Sequence, residues 1–181
     1  MEEAKEIDVR SAKLLGGIGS IFLILYPIVG YILLLISAKK FSDLFERPSI
    51  FKDFLIATII SAVAAVLVPI IFFPIYLSVP YYSPMESNTN FLFPVLFFLL
   101  CILIWVINIV ASYFARRGLL SLSEETNRRD FATAGNLIFY GALATIVLVG
   151  IIVYLIGAIY AIIAFFSLPD RLPRESTEEV Y

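Results

Sequence analysis

Histidine is absent from this chain of 181 residues, and cysteine occurs once, as Cys101 inside an apolar run. Without histidine there is no Ser-His-Asp or Cys-His catalytic system, and the commonest metal ligand is missing. A single cysteine excludes an internal disulfide, and Cys101 has no sequence neighbours that could complete a metal site. We therefore expect a protein that is not an enzyme and that uses no cofactor or metal.

Charge is scarce as well. Lys, Arg, Asp and Glu together make up 15% of the residues, and the net charge is −2, so the chain lacks the basic face that nucleic-acid binding requires. By contrast, 61% of the residues are hydrophobic, against about 45–50% in soluble domains. The mean hydropathy is +0.96. A chain of this size cannot bury that surplus in its own core, so its first partner is the lipid bilayer.

Four long runs without charge organise the sequence, at 14–38, 54–82, 87–115 and 131–169. Because about 20 apolar residues cross the hydrocarbon core, they predict an all-α, polytopic transmembrane helical bundle. We expect four spans, at about 14–38, 54–79, 91–115 and 135–165.

The last run is long for one span. We expect one long or bent helix there, and the alternative is a break near Gly150 that would add a fifth span and move the C-terminus to the other side. The spans form a single transmembrane domain, 14–168. A polar segment, 1–13, precedes it, and a polar acidic tail, 169–181, follows it and is predicted to be disordered.

Lysine and arginine predict the topology of a multi-pass protein of the cell membrane. The loops 39–53 and 116–130 share a side in a four-span arrangement and hold eight of these residues, and the other segments hold five. The excess places both loops in the cytoplasm and both termini outside. Four paired bases are expected to anchor helix ends at the membrane surface: Lys39, Lys40, Arg116 and Arg117.

The same two loops resemble each other at a constant offset of 77 residues. "AKKFSDLFERPSIFKDFLIA" begins at Ala38, and "ARRGLLSLSEETNRRDFATA" begins at Ala115. A parallel repeat of two helical hairpins, related by an axis along the membrane normal, would explain the match. The alternative is that two loops between membrane helices converge on the same pattern of charges.

Small residues predict where the helices pack, because they let helices approach closely in lipid. The stretch "GGIGS" fits neither nucleotide-binding glycine pattern, so we interpret it as a contact surface. Spans two and four carry small residues at intervals of four. The predicted packing residues are Gly16, Gly17, Gly19, Ser20, Ala57, Ser61, Ala65, Gly141, Gly157 and Ala161.

Three functions remain open at this level. The first is a non-enzymatic accessory, scaffold or lipid-interacting protein, as a homo-oligomer or as a subunit of a larger membrane complex. The second is a small channel or transporter for a neutral solute, which would require Asn108 and Asn136 to face a common cavity. The third is an enzyme at the membrane surface that uses carboxylates such as Asp53 and Asp130, although no motif joins them.

Four short stretches resemble a known family: "AKLLGGIGSI", "SAKKFSD", "PSIFKDFLIA" and "GNLIFYGAL…AIIAFFSLP". The sequence is similar to the domain-of-unknown-function 996 family of small polytopic membrane proteins, which are mainly archaeal. The resemblance covers most of the chain and is weakest across 76–112. It implies a polytopic membrane protein, and it carries over no activity and no functional residues.

Overall fold

The computed structural model describes residues 6–78 and 92–173. Within them the chain forms six α-helices and two short strands: β1 (Glu6–Asp8), α1 (Arg10–Leu25), α2 (Pro27–Leu44), α3 (Pro48–Ser78), α4 (Leu92–Thr126), α5 (Arg129–Ala144), α6 (Val149–Ser167) and β2 (Arg171–Pro173). A 3-10 turn, Thr145–Val147, joins α5 to α6. The all-α, polytopic helical bundle is therefore confirmed.

The first uncharged run is a hairpin rather than one span. α1 ends at Tyr26, and Pro27 begins α2, which runs back along α1. Proline suits the first helical position, because its missing N–H has no partner there in any case. At the base of the hairpin the Ser37 hydroxyl donates to the carbonyl of Ala12 at 2.8 Å. The expectation of a single helix over 14–38 is wrong, because Pro27 reverses the chain.

The last uncharged run is a hairpin too. It breaks at Thr145–Leu148, and Leu148 adopts a φ of 61°, which lies in the left-handed region that rarely suits leucine. Gly150 lies two residues further on and packs against the backbone of Thr145. The expected long or bent helix over 135–165 is wrong, and the alternative break near Gly150 is what the structure has.

Two long helices connect these hairpins. α3 covers the expected span 54–79 up to Ser78, and α4 covers 91–115 from Leu92 onwards. Four helices are long and apolar enough to cross a membrane in the described part of the chain: α3, α4, α5 with its 3-10 turn, and α6. Each helix contacts the next along the chain, and α1 also contacts α6, so the six form a closed ring.

The turns α2–α3 and α4–α5 have the same geometry. The N–H of Arg47 donates to the carbonyl of Ser42 at 3.0 Å, and the N–H of Arg128 donates to that of Ser123 at 3.2 Å. The residue before each arginine has a positive φ, as in the C-terminal turn known as a Schellman motif. These turns match at an offset of 81 residues, one helical turn away from the 77 that the sequence indicates.

The first and last residues that the structure describes lie at the same end of the bundle as these two turns. β1 pairs antiparallel with β2, and Ile7 faces Leu172 in the register. The start of α1 packs beside the end of α2, where Lys40 Nζ lies 3.1 Å from Ser11 Oγ. We call this end, with the turns 45–47 and 127–128 and the two strands, the charged end. The expectation that the termini lie opposite the charged loops is wrong, because each terminal run reverses once more than expected.

Part of each polar segment forms a short strand. Residues 171–173 of the acidic tail form β2, and residues 6–8 of the N-terminal segment form β1. Val9 is fully buried and its N–H donates to the carbonyl of Asp170 at 2.9 Å. The remainder of the tail, 174–181, lies outside the described residues, as does the segment 79–91 between α3 and α4.

Candidate functional site

The charged end is held together by ion pairs between the two turns. Arg47 Nη1 lies 2.9 Å from Glu124 Oε2, and Arg47 Nε lies 2.6 Å from Glu125 Oε1. Arg117 Nε is 3.5 Å from Asp53 Oδ2, so α4 is also joined to the start of α3. These pairs link segments distant in sequence, and they give Asp53, Glu124 and Glu125 basic partners.

The four predicted anchors lie at this end and differ in their contacts. Lys39 pairs with Asp43 at 2.7 Å and lies over the ring of Phe51, and Lys40 reaches α1. Arg116 donates from Nε to Asn136 Oδ1 at 2.8 Å. Its guanidinium carbon also lies 5.2 Å from the ring centroid of Phe139 and 5.9 Å from that of Tyr140.

A second group of contacts fastens the two chain ends. Lys13 Nζ donates to the carbonyl of Leu168 at 2.8 Å and lies 2.5 Å from Asp170 Oδ1. The hydrogen bond from Lys13 lowers the pKa of the Asp170 carboxyl below its ordinary value. On the surface of the strands, Arg171 pairs with Glu6 at 3.0 Å. We call β1, β2 and these ion pairs the terminal clasp.

The glycines of α1 lie against two different neighbours. A Cβ at Gly16 or Gly17 would overlap the ring of Phe165 or Phe166 in α6. A Cβ at Gly19 would come within 2.9 Å of the backbone nitrogen of Leu34 in α2. The hydroxyl of Ser20 donates to the carbonyl of Gly16 at 2.8 Å, within its own helix. The "GGIGS" stretch thus lies between the two hairpins.

In the α5–α6 hairpin, the glycines of each helix pack against backbone atoms of the other helix. A Cβ at Gly141 would lie 2.5 Å from the nitrogen of Tyr154, and one at Gly157 would lie 2.7 Å from that of Ile138. Ala161 is buried. The predicted row on α3 is divided, because Ala57 is buried, Ser61 is half-buried and Ala65 is exposed.

All six helices line a central cavity of about 100 Å³. Its apolar wall includes Leu23, Leu34, Phe54 and Phe165, and the polar groups in it are uncharged hydroxyl and amide groups. Seven polar residues contribute: Ser20, Tyr31, Thr58, Ser61, Asn108, Ser112 and Tyr154.

The two asparagines of the expected solute path are separated. Asn108 lines the cavity, whereas Asn136 bonds to Arg116 near the charged end and does not belong to the cavity lining. The condition that both face one cavity is therefore not met.

Three aromatic residues at this site were missed by sequence reasoning. Tyr31 and Tyr154 line the cavity, and Trp105 donates from Nε1 to the carbonyl of Ala142 at 3.1 Å. Polar-tipped aromatic side chains within uncharged runs could have indicated them, because a buried Tyr or Trp usually needs a hydrogen-bond partner.

Comparison with known proteins decides the family. The model of a protein family of unknown function, DUF996, matches residues 26–159. The chain belongs to this DUF996 family. The uncharacterized protein MJ1644 of Methanocaldococcus jannaschii is 31% identical over 184 residues, which cover 94% of this chain and 99% of the relative. No solved structure matches the chain.

The match to DUF996 begins at Tyr26 and ends at Ile159. It therefore begins at the tip of the α1–α2 hairpin and ends within α6. The similarity to the M. jannaschii protein covers nearly the whole chain. The residues of the terminal clasp lie outside the part that the family model matches.

Proposed function

We propose that this protein is a non-enzymatic, lipid-interacting protein of the cell membrane that occupies more area in one leaflet than in the other. The single observation that carries the proposal is the taper of the helical ring. Six helices meet at the charged end, α1 and α2 turn back at Tyr26, and α3 and α4, the longest helices, extend furthest toward the opposite end, which we call the narrow end.

The lengths of the apolar segments support this taper. At about 1.5 Å per residue, α2 extends about 17 Å from Ala38 to Pro27, little more than half of a hydrocarbon core of about 30 Å. The uncharged part of α3, from Phe54 to Ser78, measures about 37 Å and is long enough to cross it. The α5–α6 hairpin is intermediate, with about 25 Å from Phe131 to Val147.

Burial follows the same gradient. Among the side chains that the structure describes, the buried residues of α3 end at Ala57 and those of α4 begin at Ala111, so both sets lie in the half nearer the charged end. Residues 94–99 of α4 are all exposed. The hairpin tips are apolar and exposed: the exposed fraction of the residue surface is 78% for Ile28 and 74% for Leu148. Such tips favour a position inside lipid.

Charge supports one orientation. Every lysine and arginine of the described residues belongs to the charged end, whether at a helix end, in a turn or in the terminal clasp. The positive-inside rule then favours a cytoplasmic charged end and places the termini with the two charged loops. In that orientation the wide end of the ring occupies the cytoplasmic leaflet, and the membrane is expected to curve with its convex side toward the cytoplasm.

Membrane tethers pulled from giant vesicles test the proposal. Fluorescent protein is reconstituted, and its density in a thin tether is compared with that in the flat membrane. We expect enrichment in tethers of vesicles that carry the charged end outward. The matched control is a variant with about eight apolar residues added to each arm of the α1–α2 hairpin, so that this hairpin crosses the bilayer. Equal densities of native protein in tether and vesicle would contradict the proposal.

Assembly is a separate part of the proposal. The exposed apolar surface of α3 and α4 is available to lipid or to other helices, so the protein acts as a homo-oligomer or as a subunit of a larger membrane complex. Native mass spectrometry of the protein extracted from its own membranes distinguishes these states. A co-purifying protein in fixed ratio would make it an accessory subunit, and a monomer that carries only lipid would remove both forms of assembly.

A further inference from the structure

The central cavity presents six uncharged polar side chains. They extend from α2, α3, α4 and α6: Tyr31, Thr58, Ser61, Asn108, Ser112 and Tyr154. Ser112 is only 4% exposed. Across residues 6–78 and 92–173, none of these six side chains makes a hydrogen bond, and none of their polar atoms is sealed off from the cavity.

Hydroxyl groups elsewhere in these helices behave differently. Thr126, Thr133 and Thr145 each donate to the carbonyl four residues earlier, at 2.6, 3.1 and 2.8 Å. This local bond is the usual solution for Ser and Thr in a helix, because it leaves no donor unsatisfied. Thr58, Ser61 and Ser112 do not use it, so their hydroxyl groups are available to a molecule in the cavity.

The chemistry of the lining selects the class of ligand. The cavity lining contains no charged residue, and a charged ligand would lose its hydration without a counter-charge. Hydroxyl and amide groups both donate and accept, so a ligand that also does both fits best. The volume of about 100 Å³ is smaller than the cavity of about 150 Å³ that holds benzene in another protein, so only a few heavy atoms enter.

We propose that this cavity binds the hydroxyl group of a neutral alcohol, with Thr58, Asn108 and Ser112 as its hydrogen-bonding partners. Two sources supply this chemistry. One is a small free polyol such as glycerol, and the other is a membrane lipid whose uncharged head is an alcohol, with its chain leaving the cavity between helices. The proposal does not depend on the taper of the ring or on membrane curvature.

Titration of the intact protein in nanodiscs tests the site. Trp105 is the sole tryptophan of the chain and lies one helical turn from Asn108, so its emission reports on this region. The probes are glycerol in the buffer and a C20 isoprenoid alcohol in the bilayer. We expect a saturable change of emission with one of them, and the probe that saturates identifies the source.

Paired variants decide whether the cavity is responsible. Thr58→Val with Ser112→Ala removes two cavity hydroxyls, and Thr145→Val with Ser167→Ala removes two hydroxyls outside it. We expect the cavity variant pair to weaken binding about tenfold or more, because each hydrogen bond contributes roughly a factor of five to the affinity. The outer variant pair should change the affinity less than twofold, because its hydroxyls do not line the cavity. Each single variant serves if the cavity pair fails to fold. The proposal is overturned if neither probe saturates, or if both pairs bind like the native chain.

Discussion

The guanidinium group of Arg47 lies between the carboxylates of Glu124 and Glu125, at 2.9 and 2.6 Å. It thereby joins the turn that begins α3 to the last turn of α4. We expect Arg47→Glu to lower the stability by about 1–2 kcal/mol, since two exposed ion pairs become repulsive. Thermal unfolding in detergent micelles measures the change.

Restoring the opposite charge provides the control for Arg47. Combining Arg47→Glu with Glu125→Arg should recover much of the lost stability, because a favourable pair forms again in the reversed sense. Lys39→Glu is the matched comparison. Its pair with Asp43 lies within α2, so a loss of only about 0.3–0.5 kcal/mol is expected. A double variant no more stable than Arg47→Glu alone would contradict the role given to this contact.

The α5–α6 hairpin depends on a close approach at Gly141. A Cβ there would lie 2.5 Å from the nitrogen and 2.7 Å from the Cα of Tyr154, and neither backbone atom can turn aside. We expect Gly141→Ala to destabilise the protein by about 1–3 kcal/mol, measured as a fall in the unfolding temperature. Gly135→Ala is the control.

At Gly135 the nearest neighbours of a Cβ lie at 3.2 and 3.3 Å. These neighbours on α4 need to move by only a few tenths of an ångström to admit a methyl group, and alanine gains about 1 kcal/mol in helix propensity over glycine. The Gly141→Ala and Gly135→Ala variants should therefore differ clearly in their free energy of unfolding. Equal unfolding temperatures for the two variants would mean that α5 and α6 do not approach each other closely at Gly141 and Tyr154.

The placement of both termini beside the charged turns is open to a labelling experiment. Cys101 is first replaced by alanine, and single cysteines are then introduced at Asp43, Glu124 and Arg171. All three should react with a membrane-impermeant maleimide from the same side of sealed vesicles. A fourth position, Tyr26, should react only after detergent is added, because the hairpin tip lies within lipid.

Reaction of the Arg171 position from the side opposite to Asp43 would return the termini to the arrangement expected from four spans. Reaction of Tyr26 in intact vesicles would show that the α1–α2 hairpin crosses the bilayer. The experiment therefore distinguishes the hairpin fold from a bundle of straight spans.

The terminal clasp should depend on pH through Asp170. The hydrogen bond from Lys13 holds the pKa of this carboxyl below its ordinary value of 3.8, so folding favours the ionised form. A depressed pKa stabilises the fold above the unfolded-state pKa, and the contribution disappears as the pH falls through the folded-state pKa. We expect Asp170→Asn to unfold at a lower temperature than the native chain at neutral pH.

The same two proteins should converge at low pH. At a pH below the lowered pKa of Asp170, the native carboxyl is protonated, and aspartic acid and asparagine then make similar contacts. The unfolding temperatures of the two proteins should therefore approach each other. A difference that stays constant over this range would assign the effect to packing rather than to the charge of Asp170.

Sequence reasoning located the helices more reliably than their reversals. Charges mark where the apolar parts of α3 and α4 meet the charged end, because a lysine or aspartate in hydrocarbon is costly. The helices themselves go further, since α3 begins at Pro48 and α4 continues to Thr126. A proline such as Pro27 kinks a helix or begins a new one, and the choice depends on the contacts between Gly19 and Leu34, which only the fold provides. At the second reversal Gly150 indicated a possible break, but nothing in the sequence assigns the left-handed backbone to Leu148.

The candidate site was even less accessible to prediction. Asn108 was recognised as a polar residue in an apolar span, and it does line the cavity. Asn136 was recognised for the same reason, yet its partner is Arg116, because the side chain lies at the level of the charged end. Thr58 and Ser112 look like ordinary small residues in the sequence. Their significance comes from the meeting of six helices, which periodicity does not report.

The contact between Gly16 and Phe165 has a consequence for biosynthesis. The α1–α2 hairpin precedes the other helices along the chain, whereas α6, which covers its glycine face, follows them. Loop closure over so long a segment costs entropy, so the ring is expected to close only after the other helices have gathered. Until the ribosome has released α6, the first hairpin has an uncovered glycine surface in the bilayer. That surface is available to any factor that attends the insertion of membrane proteins.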